Sequence, residues 1–521
     1  MALISEDQER TLIPNWRDYT RTLKMQELAN KSKPLVHDID ISRSLNDWRN
    51  DQNIGIAADL INSSFISGKT DFVELNQAIE FIINNNESQS LIGLAHAING
   101  IHQSPNIVGD ELLGNNIDLN PQNLHQLSFP DDQQLFRLIK KTKSKAFQQL
   151  YNPIPWVELA RLYSVFGQVD KAEKSMLVAV HLAPNNRFVL RSATRFWAHL
   201  EDYERALYYL RKSEITVKDP WLVSAHIATS SLMNRYSPLI KSGVKLLESK
   251  NFSNYDLTEL SSSLGTLEYN SGSFKKSKDL FILSMQSPND NSLAQLEWLA
   301  KRDKQIDFNP FAFTNVQNPF EAFAREDKAN NNWKNAFVNT VKWFFDLPYS
   351  TGPVLMGSFI ASSFLSDQSL AITLCEAGLK ANPGDYSILN NMIYAHARNN
   401  TIDECRNYIE AFQRIKIEDL TDEWKITYIA TNGLIAFKYG NVSLGKKLYL
   451  KAYEEAVKQN NVFLQVLALI NFLRELINIR AQERHEIFHL LTNSNKQIAN
   501  NELIVLMDEV SQLYFQTKDI V

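Results

Sequence analysis

The sequence predicts an all-α protein in which helix-turn-helix repeats stack into an α-solenoid. Glycine and proline are scarce, with 17 and 16 residues in a chain of 521, too few for the tight turns of an all-β fold. Apolar residues recur at helical spacing along most of the chain. A pattern that marks two paired helices also recurs at intervals of 34 residues. The chain of 521 residues is too long for one ordinary core, which favours a repeat array.

The clearest repeat is a predicted helical hairpin that begins at Trp156. Its residues are Trp156, Leu159, Ala160, Tyr163, Gly167, Ala172, Met176, Ala179 and Pro184. The first four stand at offsets of 0, 3, 4 and 7, so they share one helix face. The glycine is expected to end this helix, and a second apolar stripe follows it. Small side chains in both stripes allow the two helices to approach closely.

Copies of this unit follow along the chain. Trp197 lies 34 residues after Tyr163, in the same position of the next copy. Further copies lie at residues 264–288, 355–383 and 433–452. One hairpin cannot bury its apolar face alone, so such copies are expected to stack on one another.

The pattern resembles the tetratricopeptide repeat, W-x2-L-G-x2-Y…A-x3-F…P. The resemblance covers roughly residues 150–300 and 350–475, and it departs from the motif at Ala160 and Met176. It implies two arrays of helical hairpins, in which the first helix of each hairpin lines a concave groove.

The predicted organisation has five segments. They are an N-terminal helical region with degenerate hairpins (1–130), a first repeat array (131–303), an aromatic and proline-rich interruption (304–350), a second array (351–475) and a C-terminal helical cap (476–521). The aromatic side chains of the interruption are too dense to remain in water. We therefore expect residues 304–350 to pack on the solenoid or on a partner.

Charge and cysteine content limit the class of protein. The net charge is −5, which provides no global field for nucleic acid or for an anionic membrane. Two cysteines, Cys375 and Cys405, exclude a disulfide framework and favour a reducing compartment. No run is long and apolar enough for a membrane span, and the first residues do not resemble a signal peptide. A cytoplasmic protein is expected.

Six residues are the predicted partner-binding set, because the tetratricopeptide frame places them on the groove side. They are Arg161, Arg187, Phe188, Arg191, Arg195 and His199. Three of the arginines are spaced by four residues and so form a basic stripe along one helix. Guanidinium groups suit carboxylates, which predicts an acidic peptide or protein surface as partner. The alternative is a solvated stripe that pairs with Glu201 and Glu204.

A second basic run lies on the helix before the first clear repeat. It consists of Arg137, Lys140, Lys141, Lys143 and Lys145, next to Phe136 and Phe147. It could contact a phosphate backbone, but a solvated helix face is the favoured interpretation, and nucleic acid is not expected as a partner.

Two motifs near the C-terminus could carry chemistry. His485, Glu486 and His489 match HExxH, in which two histidines bind zinc and the glutamate activates water. The same stretch holds two R-x4-H pairs, which resemble the motif of HEPN-family ribonucleases. No third zinc ligand or neighbouring strand is evident, and an ordinary helix end explains both patterns.

The predicted function is therefore a scaffold, adaptor or regulatory subunit that binds a partner protein. No enzyme activity, metal or cofactor is expected, since the sequence has neither a P-loop nor a GxGxxG motif. The alternative is a solenoid that carries a C-terminal hydrolase, either HExxH metallopeptidase-like or R-x4-H ribonuclease-like.

Overall fold

The structure is a computed structural model. It describes residues 12–19, 21, 22, 25, 39–67, 72–85, 95, 119–150, 152–494 and 501–517. Within these residues every regular element is a helix, and no strand occurs. The predicted all-α fold is confirmed. The five-segment division stays a prediction, and much of segment 1–130 lies outside the described residues.

The described chain forms two compact units, and the division between them falls after Pro353 in the sequence. The helices of the N-terminal unit are α1 (Ile39–Asn50), α2 (Ile54–Ser67), α3 (Val73–Asn85), α4 (Asp132–Gln148), α5 (Pro153–Val165), α6 (Val169–Leu182), α7 (Arg187–His199), α8 (Tyr203–Lys212), α9 (Pro220–Leu232), α10 (Ile240–Glu248), α11 (Asn254–Asn270), α12 (Phe274–Ser284), α13 (Asp290–Ala300), α14 (Phe320–Ala329) and α15 (Trp333–Asp346). The helices of the C-terminal unit are α16 (Thr351–Ser363, across the division), α17 (Gln368–Ala381), α18 (Tyr386–Arg398), α19 (Arg406–Gln413), α20 (Asp422–Lys438), α21 (Val442–Lys458), α22 (Val462–Asn478), α23 (Arg484–Ser494) and α24 (Asn501–Thr517).

Consecutive helices pair as hairpins. The pairs α5–α6, α7–α8, α11–α12, α14–α15 and α20–α21 pack directly on each other. Side-chain caps fix where many of these helices begin. For example, Asn152 accepts the N–H of Ile154 at the start of α5, and Asp219 accepts the N–H groups of Trp221 and Leu222 at the start of α9. Such caps satisfy amide groups that the first helical turn leaves without partners.

One turn geometry recurs between the helices. At Gly167 φ is +67°, and the next residue, Gln168, donates its N–H to the carbonyl of Tyr163 at 2.8 Å. This bond closes the helix end as a Schellman motif. The same positive φ and the same six-residue bond occur at Glu201, Asn234, Gly272, Asn331, Asn400, Gly440, Asn460 and Arg480. The turn is thus conformationally uniform, although glycine occupies only some of its positions.

Small residues allow the helices of a hairpin to approach. A Cβ on Gly445 of α21 would lie 2.5 Å from the Phe437 ring of α20, and one on Gly265 of α11 would lie 2.8 Å from the Phe281 ring of α12. Such distances are too short for a carbon–carbon contact, so the ring would have to move. Cys375 and Cys405 are fully buried, as expected for apolar positions of second helices.

We expect Gly445→Ala to destabilise the C-terminal unit by about 1–3 kcal/mol, because the added methyl group overpacks the α20–α21 contact. The measurement is the thermal unfolding midpoint followed by circular dichroism. Gly55→Ala is the matched control, since its Cβ meets only the Asn53 side chain at 3.4 Å. Alanine there should stabilise slightly through helix propensity. An equal response of both variants would contradict the close packing.

The aromatic segment 304–350 is largely helical. It contains α14 and α15, which pair as a hairpin, and α14 packs on α13. Most of its aromatic side chains are buried, among them Phe337 and Phe345, whereas Phe311 is 86% exposed. The segment predicted as an interruption therefore supplies a further hairpin to the N-terminal unit.

No helix in the described part of the chain is long and apolar enough to cross a membrane.

Candidate functional site

An N-terminal segment lies against the first helices of the hairpins in the N-terminal unit. We define this segment as the described residues between 12 and 25. Residues 12–18 have no regular secondary structure, and a helical turn begins at Tyr19. The segment contacts a surface made by α5, α7, α9, α13 and the end of α15, which we name the first-helix face. Trp16 lies at its centre and is only 1% exposed.

Side chains of the first-helix face satisfy the backbone of the segment. The Trp16 N–H donates to Tyr349 Oη at 3.0 Å, and the same hydroxyl donates to the Trp16 carbonyl at 3.2 Å. The Tyr19 N–H donates to Glu158 Oε1 at 2.7 Å. Asn291 Nδ2 of α13 donates to the Ile13 carbonyl at 3.1 Å. The segment therefore lies in a fixed register on the surface that holds it.

Arg17 carries the main charge interaction of the segment. Its Nε lies 2.8 Å from Asp346 Oδ1, and its Nη2 bonds both Asp346 and Asp290. Arg21 also contacts Asp346, at 2.7 Å. Burial raises the pKa of Asp290 above its ordinary value despite Arg17. Burial has the same effect on Asp346, but two arginines outweigh it and hold its pKa below the ordinary value.

The basic stripe on α7 is paired within the N-terminal unit. Arg187 Nε lies 2.5 Å from Asp219 Oδ2 at the start of α9. Arg191 forms a two-pronged pair with Glu259 of α11 at 2.7 and 3.1 Å. Its guanidinium also lies 4.5 Å from the Trp221 ring centroid. These carboxylates come from the following hairpins, so the stripe joins successive repeats.

The other predicted binding residues also lie at the first-helix face. The Phe188 ring packs edge-on against Tyr19 of the segment, with centroids 4.7 Å apart. Arg195 and His199 pack on the Tyr349 ring at 5.3 and 5.6 Å. Arg161 Nε lies 3.3 Å from Glu158 Oε2. The structure thus brings all six predicted residues together, and their role in binding an external partner stays a prediction.

Glu158 and His199 have strongly shifted pKa values at this face. Burial raises the pKa of Glu158 to about 7, although Arg161 lowers it. Burial and the neighbouring Arg195 lower the pKa of His199 to about 4. The folded protein therefore favours the neutral form of both groups.

We expect Glu158→Gln to change how stability depends on pH. The pKa of Glu158 is raised from 4.5 to about 7, so its contribution to stability is present below pH 4.5 and is lost as the pH rises through 7. The loss is at most about 3 kcal/mol. Glutamine keeps an acceptor for the Tyr19 N–H but does not titrate. Compared with the wild type, the variant should be relatively more stable at pH 8 than at pH 5.

The measurement is urea denaturation followed by tryptophan fluorescence at both pH values. His199 contributes the opposite slope between about pH 4 and 6.5, so the informative quantity is the difference between variant and wild type. Glu204→Gln serves as the control, because that carboxylate is more than half exposed. A difference that is the same at pH 5 and pH 8 would contradict the buried, neutral Glu158.

The second basic run forms the solvent face of α4. At about 100° per residue, Phe136, Lys140, Lys143 and Phe147 fall within about 60° of one another. All four are exposed, and the two aromatic rings expose 53% and 56% of their surface. We name the α4 basic face as these four residues with Arg137, Lys141 and Lys145.

The aromatic rings of this face are held in place by the first repeat. Phe136 packs edge-on against Phe166 at 4.7 Å, and Phe147 packs against Trp156 at 5.5 Å. Lys143 Nζ lies 5.8 Å from the centroid of Phe147. In the described part of the chain, no carboxylate forms an ion pair with Lys140 or Lys143. The α4 basic face therefore presents cations and ring surfaces to solvent.

The C-terminal motifs lie on α23. His485 Nδ1 is hydrogen-bonded to Tyr514 Oη of α24 at 2.6 Å, and Phe488 stacks on the same tyrosine. Glu486 and His489 are exposed. The described residues contain no group of three histidine, cysteine or acidic side chains that could hold a metal ion. The hydrogen bond and the stack give this stretch a packing role between the last two helices.

The chain has a low level of similarity to several solved structures. The chain is similar to the human IFIT1 dimer with m7Gppp-AAAA, at 15% identity over 75% of this chain and 96% of that chain, with a TM-score of 0.36. It is similar to the human IFIT1 dimer with PPP-AAAA at 12% identity over 99% of this chain and 99% of that chain, with a TM-score of 0.31. Its similarity to yeast Tom70 is at 13% identity over 75% of this chain and 97% of that chain, with a TM-score of 0.29. No family model matches the sequence, and no curated protein matches it.

The prediction of an acidic protein partner, with nucleic acid not expected, is wrong. The IFIT1 structures to which the chain is similar hold nucleic-acid ligands, m7Gppp-AAAA or PPP-AAAA. The arginine pairs give a physical reason for the failure. Arg187 and Arg191 already have carboxylate partners in the next hairpins, so they offer an acidic peptide no uncompensated charge.

The predicted fold and repeat type are confirmed by the helical hairpins and by the recurrent turn that joins them. Their core contains Ala160, Ala172 and Met176, residues that were predicted from the repeat pattern, and all three are buried. The chain is an all-α protein of consecutive helical hairpins that resemble tetratricopeptide repeats.

Proposed function

We propose that the chain is a scaffold that binds single-stranded nucleic acid through the α4 basic face. The observation that carries the proposal is a stripe along α4 in which two exposed aromatic rings, Phe136 and Phe147, flank two exposed lysines, Lys140 and Lys143. Phe136 and Phe147 lie eleven residues apart, or about 16 Å along the helix. A cytoplasmic location, in keeping with the free thiols of Cys375 and Cys405, is part of the proposal.

The chemistry of the face suits a single strand better than a duplex. Exposed rings can stack on unpaired bases, and this stacking tolerates any sequence. Lysine ammonium groups contact phosphates and displace condensed counterions. The cations of the face lie between the two rings along the helix, so base and backbone contacts could form together. The net charge of −5 does not prevent this, because the cations are concentrated on one helix.

The first-helix face is less suited to nucleic acid. Arg187 and Arg191 of this face pair with Asp219 and Glu259, and Arg17 of the N-terminal segment pairs with Asp290 and Asp346. The N-terminal segment also lies on it. A phosphate chain entering there would have to displace existing ion pairs, whereas Lys140 and Lys143 of the α4 basic face form no ion pair with a described carboxylate.

The proposal predicts two separable effects of mutation. Lys140→Glu with Lys143→Glu should weaken binding of a labelled oligouridylate at least about tenfold and reduce its salt dependence, because phosphate contacts are lost. Phe136→Ala with Phe147→Ala should weaken binding by about 1–3 kcal/mol per lost stack and leave the salt dependence unchanged. The measurement is fluorescence anisotropy over a series of salt concentrations.

Lys447→Glu with Lys451→Glu on α21 is the matched control. Both lysines are exposed on one helix, so the change in net charge is the same. This control should keep at least most of the wild-type affinity. Equal losses from the α4 and α21 variants would mean that binding reflects net charge alone, and the proposed site would be wrong.

A further inference from the structure

We infer that the first-helix face is a second binding surface, and that its occupant is the chain's own N-terminal segment, held as a separable intramolecular ligand. The recognised element is the sequence Trp16-Arg17-Asp18-Tyr19, which has no regular secondary structure before the helical turn that begins at Tyr19. This inference is independent of nucleic-acid binding at α4.

The hydrogen bonds of the segment are those of a bound peptide. Four hydrogen bonds of its backbone run to side chains that lie 139 to 333 residues away in the sequence. The partners are a tyrosine hydroxyl, a carboxylate and an asparagine amide. A surface of side chains on rigid helices can hold an extended backbone in this way and fix its register.

The ring of Trp16 and the guanidinium of Arg17 anchor the segment. Trp16 packs against Phe196 and Tyr349, with centroids 5.9 and 5.5 Å apart. Arg17 forms its pair with Asp346, a residue whose side chain is 2% exposed. A buried aromatic anchor beside a buried arginine pair is typical of the centre of a binding interface.

The hairpins that receive the segment have cores of their own. On α7, Trp197 points away from the segment and stacks on Tyr209 of α8 at 4.5 Å. On α5, Ala160 packs in the hairpin with α6, where Ala172 and Met176 are also buried. Departure of the segment would remove none of these contacts. It would expose Asp290 and Asp346 to water, which hydrates carboxylates well.

A synthetic peptide of residues 10–27 tests the inference on the full chain. The wild-type chain should not bind this peptide, because its own segment occupies the surface at a high effective concentration. A full-length chain with Trp16→Ala and Arg17→Ala should bind the labelled peptide saturably, one per chain, and gain thermal stability from it. The same peptide with Arg17→Glu should bind at least about tenfold more weakly.

Two outcomes would overturn the inference. The first is a double variant that keeps its helical circular dichroism but does not bind the wild-type peptide. The second is a double variant that loses its helical signal, because the segment would then be part of the folded core.

Hydrogen exchange of the unmodified chain gives an independent test. The amides of Trp16 and Tyr19 should exchange faster than the core amides of α5 and α7, since the segment opens without unfolding the hairpins. Exchange of both sets at one common rate would contradict a separable segment.

Discussion

The position of the N-terminal segment on its unit depends on the buried guanidinium of Arg17, which lies between Asp290 and Asp346. These two carboxylates belong to α13 and to the last residue of α15, far apart in sequence. A buried charge without a partner is costly, whereas a paired and hydrogen-bonded one is tolerated. Arg17 therefore holds the N-terminal segment against two helices that are distant in sequence.

The fold could be predicted from the sequence because its determinants are local. Ala160, Tyr163 and Gly167 stand at spacings that encode a helix face and a helix end. The recurrence at 34 residues then identifies a stack of such units. The recurrent turn was only partly predictable, because Glu201 and Arg480 adopt the same positive φ as Gly167 without being glycine. There the six-residue hydrogen bond and helix packing outweigh the backbone preference of the residue.

The candidate site was less predictable because its contacts are long-range. The spacing of Arg187 and Arg191 placed both on the correct helix face, but their carboxylate partners lie 32 and 68 residues away. No local sequence pattern indicates such long-range ion pairs. Trp16 is buried, as an anchor must be. The surface that receives it combines residues from several hairpins, and no local pattern could identify that surface. The α4 basic face, by contrast, is one helix, so its cations and rings were evident from spacing alone.

We propose that two surfaces of the N-terminal unit have different ligands. Nucleic acid binds at α4, and the N-terminal segment binds at the first-helix face. The most direct test is hydrogen exchange of the full chain with and without a saturating oligouridylate. We expect oligouridylate to protect only Asp132–Gln148 and its immediate neighbours from exchange, and the exchange rates of Arg187–His199 to stay unchanged. Protection of Arg187–His199 together with faster exchange at Trp16 and Tyr19 would show that nucleic acid displaces the segment, and would contradict the account.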